Sequence, residues 1–167
     1  FGGSAGTAVA SNLAFPTEYR QASGVGLRDI NAAGTAVGVS SVSQTILRGT
    51  VWQSDGSAGL LPSLSTDPLS GQALLSDAVD ISNSGWVAGY ADLMAGNGRY
   101  LGNRAVRWAV DGSLVNLGTL STTATGEGIS RATAINERGD VAGAFQQYAA
   151  NGGVLGNRAF VWDAATP

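Results

Sequence analysis

Three times along the chain an apolar residue is followed by Asn or Ser, two small or polar residues, a Gly, and then a second short apolar run. The pattern reads Asp29-Ile30-Asn31-Ala32-Ala33-Gly34-Thr35-Ala36-Val37-Gly38, then Asp80-Ile81-Ser82-Asn83-Ser84-Gly85-Trp86-Val87-Ala88-Gly89, then Ala134-Ile135-Asn136-Glu137-Arg138-Gly139-Asp140-Val141-Ala142-Gly143. A polar side chain at the first turn position and Gly at the fourth predict a tight turn, so each segment reads as a hairpin of two strands, A and B. Downstream lie Arg48-Gly49-Thr50-Val51-Trp52, Arg104-Ala105-Val106-Arg107-Trp108 and Arg158-Ala159-Phe160-Val161-Trp162. Their aromatic and β-branched residues suit a strand C, and alternation puts Arg, the middle residue and Trp on one face. Turns at Ser54-Asp55-Gly56-Ser57 and Val110-Asp111-Gly112-Ser113 then lead to a short strand D, Leu60 to Leu64 or Leu114 to Leu117.

Both blocks keep one period. The Ile residues are 51 and 54 positions apart and the Trp residues 56 and 54. Four short antiparallel strands per period of this length predict a propeller blade. The expected fold class is all-β, a β-propeller-type repeat of about three four-stranded antiparallel blades. Phe1 to Leu13 repeats the 12-residue spacing of Trp52 to Leu64 and Trp108 to Leu120, so the N-terminal stretch reads as a strand D whose blade lies elsewhere. The order is then circularly permuted, D-ABCD-ABCD-ABC. One repeat domain, 1–167, divides into strand D and linker (1–25), repeat 1 (26–76), repeat 2 (77–130) and repeat 3 without its strand D (131–167). The structural repeat positions are Ile30, Gly34, Arg48, Trp52, Ile81, Gly85, Trp108, Ile135, Gly139 and Trp162. Repeats 2 and 3 carry longer B–C inserts, Arg99 to Arg104 and Gly153 to Arg158, which read as loops projecting from one edge, where binding is expected.

The combination Ala-Ile-Asn-x-x-Gly-x-Val-x-Gly, Arg-Ala-Phe-x-Trp and Leu-Gly-Thr-Leu, carried here by Ala134 to Gly143, Arg158 to Trp162 and Leu117 to Leu120, resembles the HAF family of bacterial probable extracellular repeats. The likeness covers most of residues 26 to 164 and is closest in the third repeat; the first departs, with Gly49-Thr50 in place of Ala-Phe and no Leu-Gly-Thr-Leu. The resemblance implies an extracellular or bacterial cell-surface location and no established catalysis.

Composition narrows the chemistry. Charged residues are 13% of the chain and Gly numbers 25 of 167, which fits neither a helical bundle nor a charged disordered tail. A net charge of −3 and a pI of about 4.7 leave no basic footprint for nucleic acid. No run approaches the roughly 18 apolar residues that would span a bilayer. The opening Phe1-Gly2-Gly3-Ser4 lacks the layout of a signal peptide, so any export signal is expected outside this chain. His, Cys and Lys are all absent, which removes the Ser-His-Asp triad, the thiol nucleophile, the Schiff base and imidazole-ligated zinc.

What remains is weighed residue by residue. Arg48, Arg104 and Arg158 could converge on an anion, as in sialidase-type propellers, but are expected to tie each blade to its neighbour, with Asp29 or Asp80 as partners. Trp52, Trp108 and Trp162 read as core rather than a sugar-stacking platform. A glycosidase-type pair would have to come from Glu18, Glu127, Glu137 and the Asp residues, none of which spacing brings together. The Asp-Ile-Asn-x-x-Gly turn is similar to the calcium loops of FG-GAP propellers, yet Ala32, Ala33 and Arg138 occupy ligand positions, so neither metal nor cofactor is expected. The first functional expectation is a non-catalytic extracellular or surface scaffold for adhesion, assembly or protein-protein interaction. The second is a carbohydrate-binding lectin using an exposed Trp86 and the inserts around Tyr100 and Tyr148; a glycosidase or sialidase comes third. Candidate binding residues are Trp86, Tyr100, Arg104, Tyr148 and Arg158. Expected partners are the chain itself or further repeats of a longer parent, and a glycan or surface protein. Strand C at Arg158 to Trp162 is expected to pair with a strand D like Thr7 to Leu13, supplied by a longer parent, by a second copy in a six-bladed dimer, or within a three-bladed monomer.

Overall fold

A computed structural model describes residues 24–42 and 46–165. All its regular elements are strands: β1(Val25–Ile30), β2(Ala36–Ser41), β3(Leu47–Trp52), β4(Ala58–Leu60), β5(Ser76–Ile81), β6(Val87–Met94), β7(Tyr100–Trp108), β8(Leu114–Gly118), β9(Ser130–Ile135), β10(Val141–Tyr148) and β11(Val154–Trp162). They form three antiparallel sheets in simple meander order, β1-β2-β3-β4, β5-β6-β7-β8 and β9-β10-β11. Among the described residues the sheets follow one another without closing into a ring. The expected N-terminal strand at Thr7 to Leu13 lies outside the described residues.

Two boundaries differ from the sequence reading. Strand D of the first sheet is Ala58–Leu60 rather than Leu60 to Leu64. The Leu61 amide still donates to the Gly49 carbonyl, and Pro62, which has no N–H to give, ends the pairing. The B–C inserts are not loops. β6 and β7 stay paired out to Met94 and Tyr100, and β10 and β11 out to Tyr148 and Val154, with a bulge at Leu101 and Leu155, so the extra residues lengthen a hairpin.

One turn closes nearly all the hairpins. The Asn31 amide donates to the Thr35 carbonyl and the Gly34 amide to the Asn31 carbonyl, a type I turn followed by a left-handed Gly. Gly34, Gly85 and Gly139 have φ of +80°, +84° and +84°, a region costly for any residue with a Cβ. The same bond pair recurs at Gln53–Ser57, Ser82–Trp86, Ala95–Arg99, Ala109–Ser113, Thr123–Glu127, Asn136–Asp140 and Ala149–Gly153.

A second repeated device is a β-bulge in each first strand, at Arg28, Val79 and Thr133. The extra residue pushes the first strand's backbone toward its neighbour. A Cβ at Gly38, Gly89 or Gly143 would lie 2.0, 2.0 or 2.2 Å from the carbonyl oxygen of Gly26, Asp77 or Arg131. The final Gly of each motif is therefore demanded by the bulge opposite it.

The core lies between sheets. Val37 and Leu61 of the first pack against Ala78, Ile81, Val87, Val106 and Trp108 of the second. Trp108 is fully buried and its Nε1 donates to the Pro62 carbonyl at 2.9 Å. Ala88 and Ala105 pack against Ala132 and Val141, with Leu117, Phe160 and Trp162 around them, between the second and third sheets. Beyond these clusters Ile30 is 63% exposed where its equivalent Ile81 is 6%, and Val161 is 79% exposed, although Trp52, on the same face as Ile30, is fully buried.

Candidate functional site

Each sheet grips the one before it through the same sequence positions. The bulge turns the next residue outward, so that Asp29 accepts from the Ile81 amide at 3.0 Å and Asp80 from the Ile135 amide at 2.6 Å. The serines that open β5 and β9 reach back to strand C of the preceding sheet: Ser76 Oγ accepts from the Gly49 amide at 3.0 Å and Ser130 Oγ from the Ala105 amide at 2.9 Å. At the A–B turns, Asn83 Oδ1 accepts from the Ala32 amide at 2.8 Å, and Glu137 accepts from the Asn83 and Ser84 amides at 3.0 and 2.8 Å. Arg28 pairs with Asp77 at 2.8 Å, and Arg131 donates to Asn103 at the same distance. Sequence reasoning missed Ser76 and Ser130; extending the repeat alignment five residues before Ile81 and Ile135 would have exposed them.

The repeated Arg residues do not pair with Asp29 or Asp80. Arg48 donates to the Leu61 carbonyl at 2.8 Å, and Arg104 donates to the carbonyls of Leu101, Gly126 and Gly128. Each thus ties strand C to the segment leaving strand D through backbone carbonyls. Both are buried, at 6% and 5% exposure. Burial lowers the Arg104 pKa, opposed by the nearby Tyr148 and Tyr100 phenols. Arg158 is exposed, and among the described residues its Nη1 bonds only the carbonyl of its neighbour Asn157, at 2.9 Å. β11 has β10 on one side and, among the described residues, no strand on the other.

Of the binding candidates, Tyr100 and Tyr148 each lie within electrostatic reach of Arg104, while Trp86 packs on Arg107 and Arg158 bonds Asn157. The Tyr100 hydroxyl donates to Asp92 at 3.0 Å, and Asn103 donates to the same oxygen. Burial and the adjacent Asp92 push Tyr100 up to about 12. Tyr148 donates to Gln146 at 2.6 Å. Trp86 is not an exposed platform. The Arg107 guanidinium lies between the Trp86 and Trp162 rings, 4.2 and 4.6 Å from their centroids, and donates to the Gly139 carbonyl at 3.1 Å.

One carboxylate pair does meet. Asp29 and Asp80 face each other across the first and second sheets. Burial and then the hydrogen bond with Asp29 push Asp80 above the usual carboxylate range. At Asp29 burial acts upward too, but its bonds with Asp80 and the Ile81 amide hold it below that range. One oxygen of each, Asp29 Oδ2 and Asp80 Oδ2, is already committed to a backbone amide. Glu127, at the surface, is held down to about 2 by the Thr123 and Thr125 hydroxyls, with Arg99 beside it. Glu137 is committed to the turn at Ser84, and Glu18 lies outside the described residues. Among the described residues no three carboxylates gather where a metal ion would bind. No protein-family model matches the chain, and no curated protein matches it either.

Proposed function

We propose that the chain is a non-catalytic repeat scaffold of the extracellular or cell-surface kind, built of propeller-type blades, and that it acts by offering the free edge of β11 to a β-rich partner. The observation that carries this reading is the contrast between Arg158 and its equivalents. Arg48 and Arg104 are buried against carbonyls, whereas Arg158 stands exposed beside an open strand edge. By repeat equivalence the Ala159 amide points away from β10, as the Gly49 and Ala105 amides point at Ser76 and Ser130. An edge with unused amides and a waiting guanidinium is suited to strand addition. The HAF-like motifs support the extracellular assignment.

A peptide with the sequence Leu114 to Leu120, which includes a strand D of this chain, serves as the probe. We expect it to slow exchange of the Ala159 and Val161 amides and to change Trp162 fluorescence, with both effects lost in Val161→Pro, which removes an outward amide. No protection and no fluorescence change at millimolar peptide would rule this reading out.

A further inference from the structure

Resting on the reading that the outer side of the third sheet is the interaction surface, the residues around it narrow the partner. Two junctions between consecutive sheets exist in the chain, and both use one set of groups. The later sheet supplies a serine at the start of its first strand (Ser76, Ser130), a polar side chain next to it (Asp77, Arg131), a small Ala after that (Ala78, Ala132), and an acceptor at the second position of its first turn (Asn83, Glu137). The earlier sheet supplies the strand C amide and the turn amide that these groups bind. The third sheet presents the corresponding amides, at Ala159 and Glu137, on its free side.

The first sheet does not carry the matching set. Its equivalent positions are Val25, Gly26, Leu27 and Ala32. Val25 has no hydroxyl, Gly26 has no side chain, Ala32 has no acceptor, and Leu27 is larger than the fully buried Ala78 and Ala132 whose place it would take. On the other side of the same junction, Ala134 stands where Asp29 and Asp80 accept an amide. A junction from the third sheet of one copy to the first sheet of another would lack the carboxylate, serine and turn-acceptor bonds found at both internal junctions. It would leave buried amides unpaired and overfill the site of the small Ala.

We infer that the free face of the third sheet selects a further β-sheet of this repeat's own type, one whose first strand opens with Ser-x-Ala and whose first turn carries Asn or Glu at its second position, and not the first sheet of this chain. A second copy of this chain is excluded by the apolar residues of its own first sheet. Head-to-tail closure, as a three-bladed monomer or a six-bladed dimer, is excluded by the same residues.

The test supplies the missing groups. The full chain and its Val25→Ser, Leu27→Ala, Ala32→Asn variant are compared by sedimentation over a wide concentration range, with near-ultraviolet circular dichroism of the Trp residues reporting the fold. The native chain is expected to keep its 16.8 kDa mass, and the variant to associate at least about tenfold more tightly. Adding Val161→Pro is expected to return the variant to monomer. A folded variant that stays as monomeric as the native chain overturns the inference, as does a native chain whose own association is abolished by Val161→Pro. If the triple variant loses its near-ultraviolet signal, Val25→Ser with Ala32→Asn, both at exposed positions, is held to the same two outcomes. The peptide experiment reports separately on the edge: failure there with association here would sink the strand-addition reading and leave the choice of face standing.

Discussion

At Gly89 the requirement for glycine comes from another strand's backbone, not from local conformation. The bulge at Val79 brings the Asp77 carbonyl to 2.0 Å from where a Cβ would sit, and the Trp108 ring lies 3.0 Å from it. Neither the backbone carbonyl nor a buried indole has room to yield. Gly89→Ala is therefore expected to cost about 1–3 kcal/mol, the range for an overfilled core, measured by urea unfolding. A cost below about 0.5 kcal/mol, typical of a surface change, would show that the bulge can relax. Asp80, by contrast, acts through its charge. Its raised pKa means that the folded chain binds a proton there more tightly than the unfolded chain does. Its contribution is full below the ordinary carboxylate value and is lost as pH rises through the raised one. Asp29, lowered, behaves oppositely, and its contribution is lost as pH falls. Asp80→Asn keeps an oxygen for the Ile135 amide and gives Asp29 a permanent donor. We expect its melting temperature to exceed the native value by about 2–4 °C at neutral pH, with the gain shrinking toward pH 3. A gain that is the same at both pH values would show that the raised Asp80 pKa does not govern stability there.

At the scale of the element, the three C strands offer an internal comparison. Arg104 is buried and bonded to several carbonyls, so Arg104→Ala leaves those groups without a donor and is expected to cost about 3 kcal/mol. Arg158→Ala, at an exposed side chain bonded only to its neighbour, is expected to stay within about 0.5 kcal/mol. Thermal unfolding of the two variants side by side checks this; equal losses would mean that Arg158 is covered in solution. The same strands show what was legible in the sequence. The A–B and C–D turns were legible because each depends on a single Gly with positive φ at a fixed offset. The tryptophans Trp52 and Trp108 were legible as core because large aromatics at strand period have few other places to go. The bulges were not, since Arg28, Val79 and Thr133 share no chemistry and the device lives in the backbone. The Arg partners were misjudged because carbonyls carry no signature in sequence, and carboxylates at Asp29 and Asp80 were the visible alternative. Trp86 was misjudged because its covering group, Arg107, replaces the Val51 and Val161 of the other two repeats.

At the scale of the molecule, the three sheets are unequal in what surrounds them. The second has a neighbour on each side, with one apolar cluster against the first sheet and another against the third. Each of the outer two exposes large apolar residues, Val25, Leu27 and Ile30 on the first and Val161 on the third, although Trp52 of the first is fully buried. In a linear stack, stability is close to a sum of each unit's own term and its interface terms, so a unit with two interfaces opens last. Central amides of β6 and β7 are thus expected to exchange with solvent only on global unfolding. Amides of β11 on the side away from β10 exchange fastest, and those shared between β10 and β11 fall between. Native-state hydrogen exchange at two denaturant concentrations separates these classes, because global opening depends on denaturant far more steeply than local fraying. If the outward β11 amides proved as protected as those of β7 in dilute solution, that edge would already be occupied, and the free edge on which the proposed function depends would not exist.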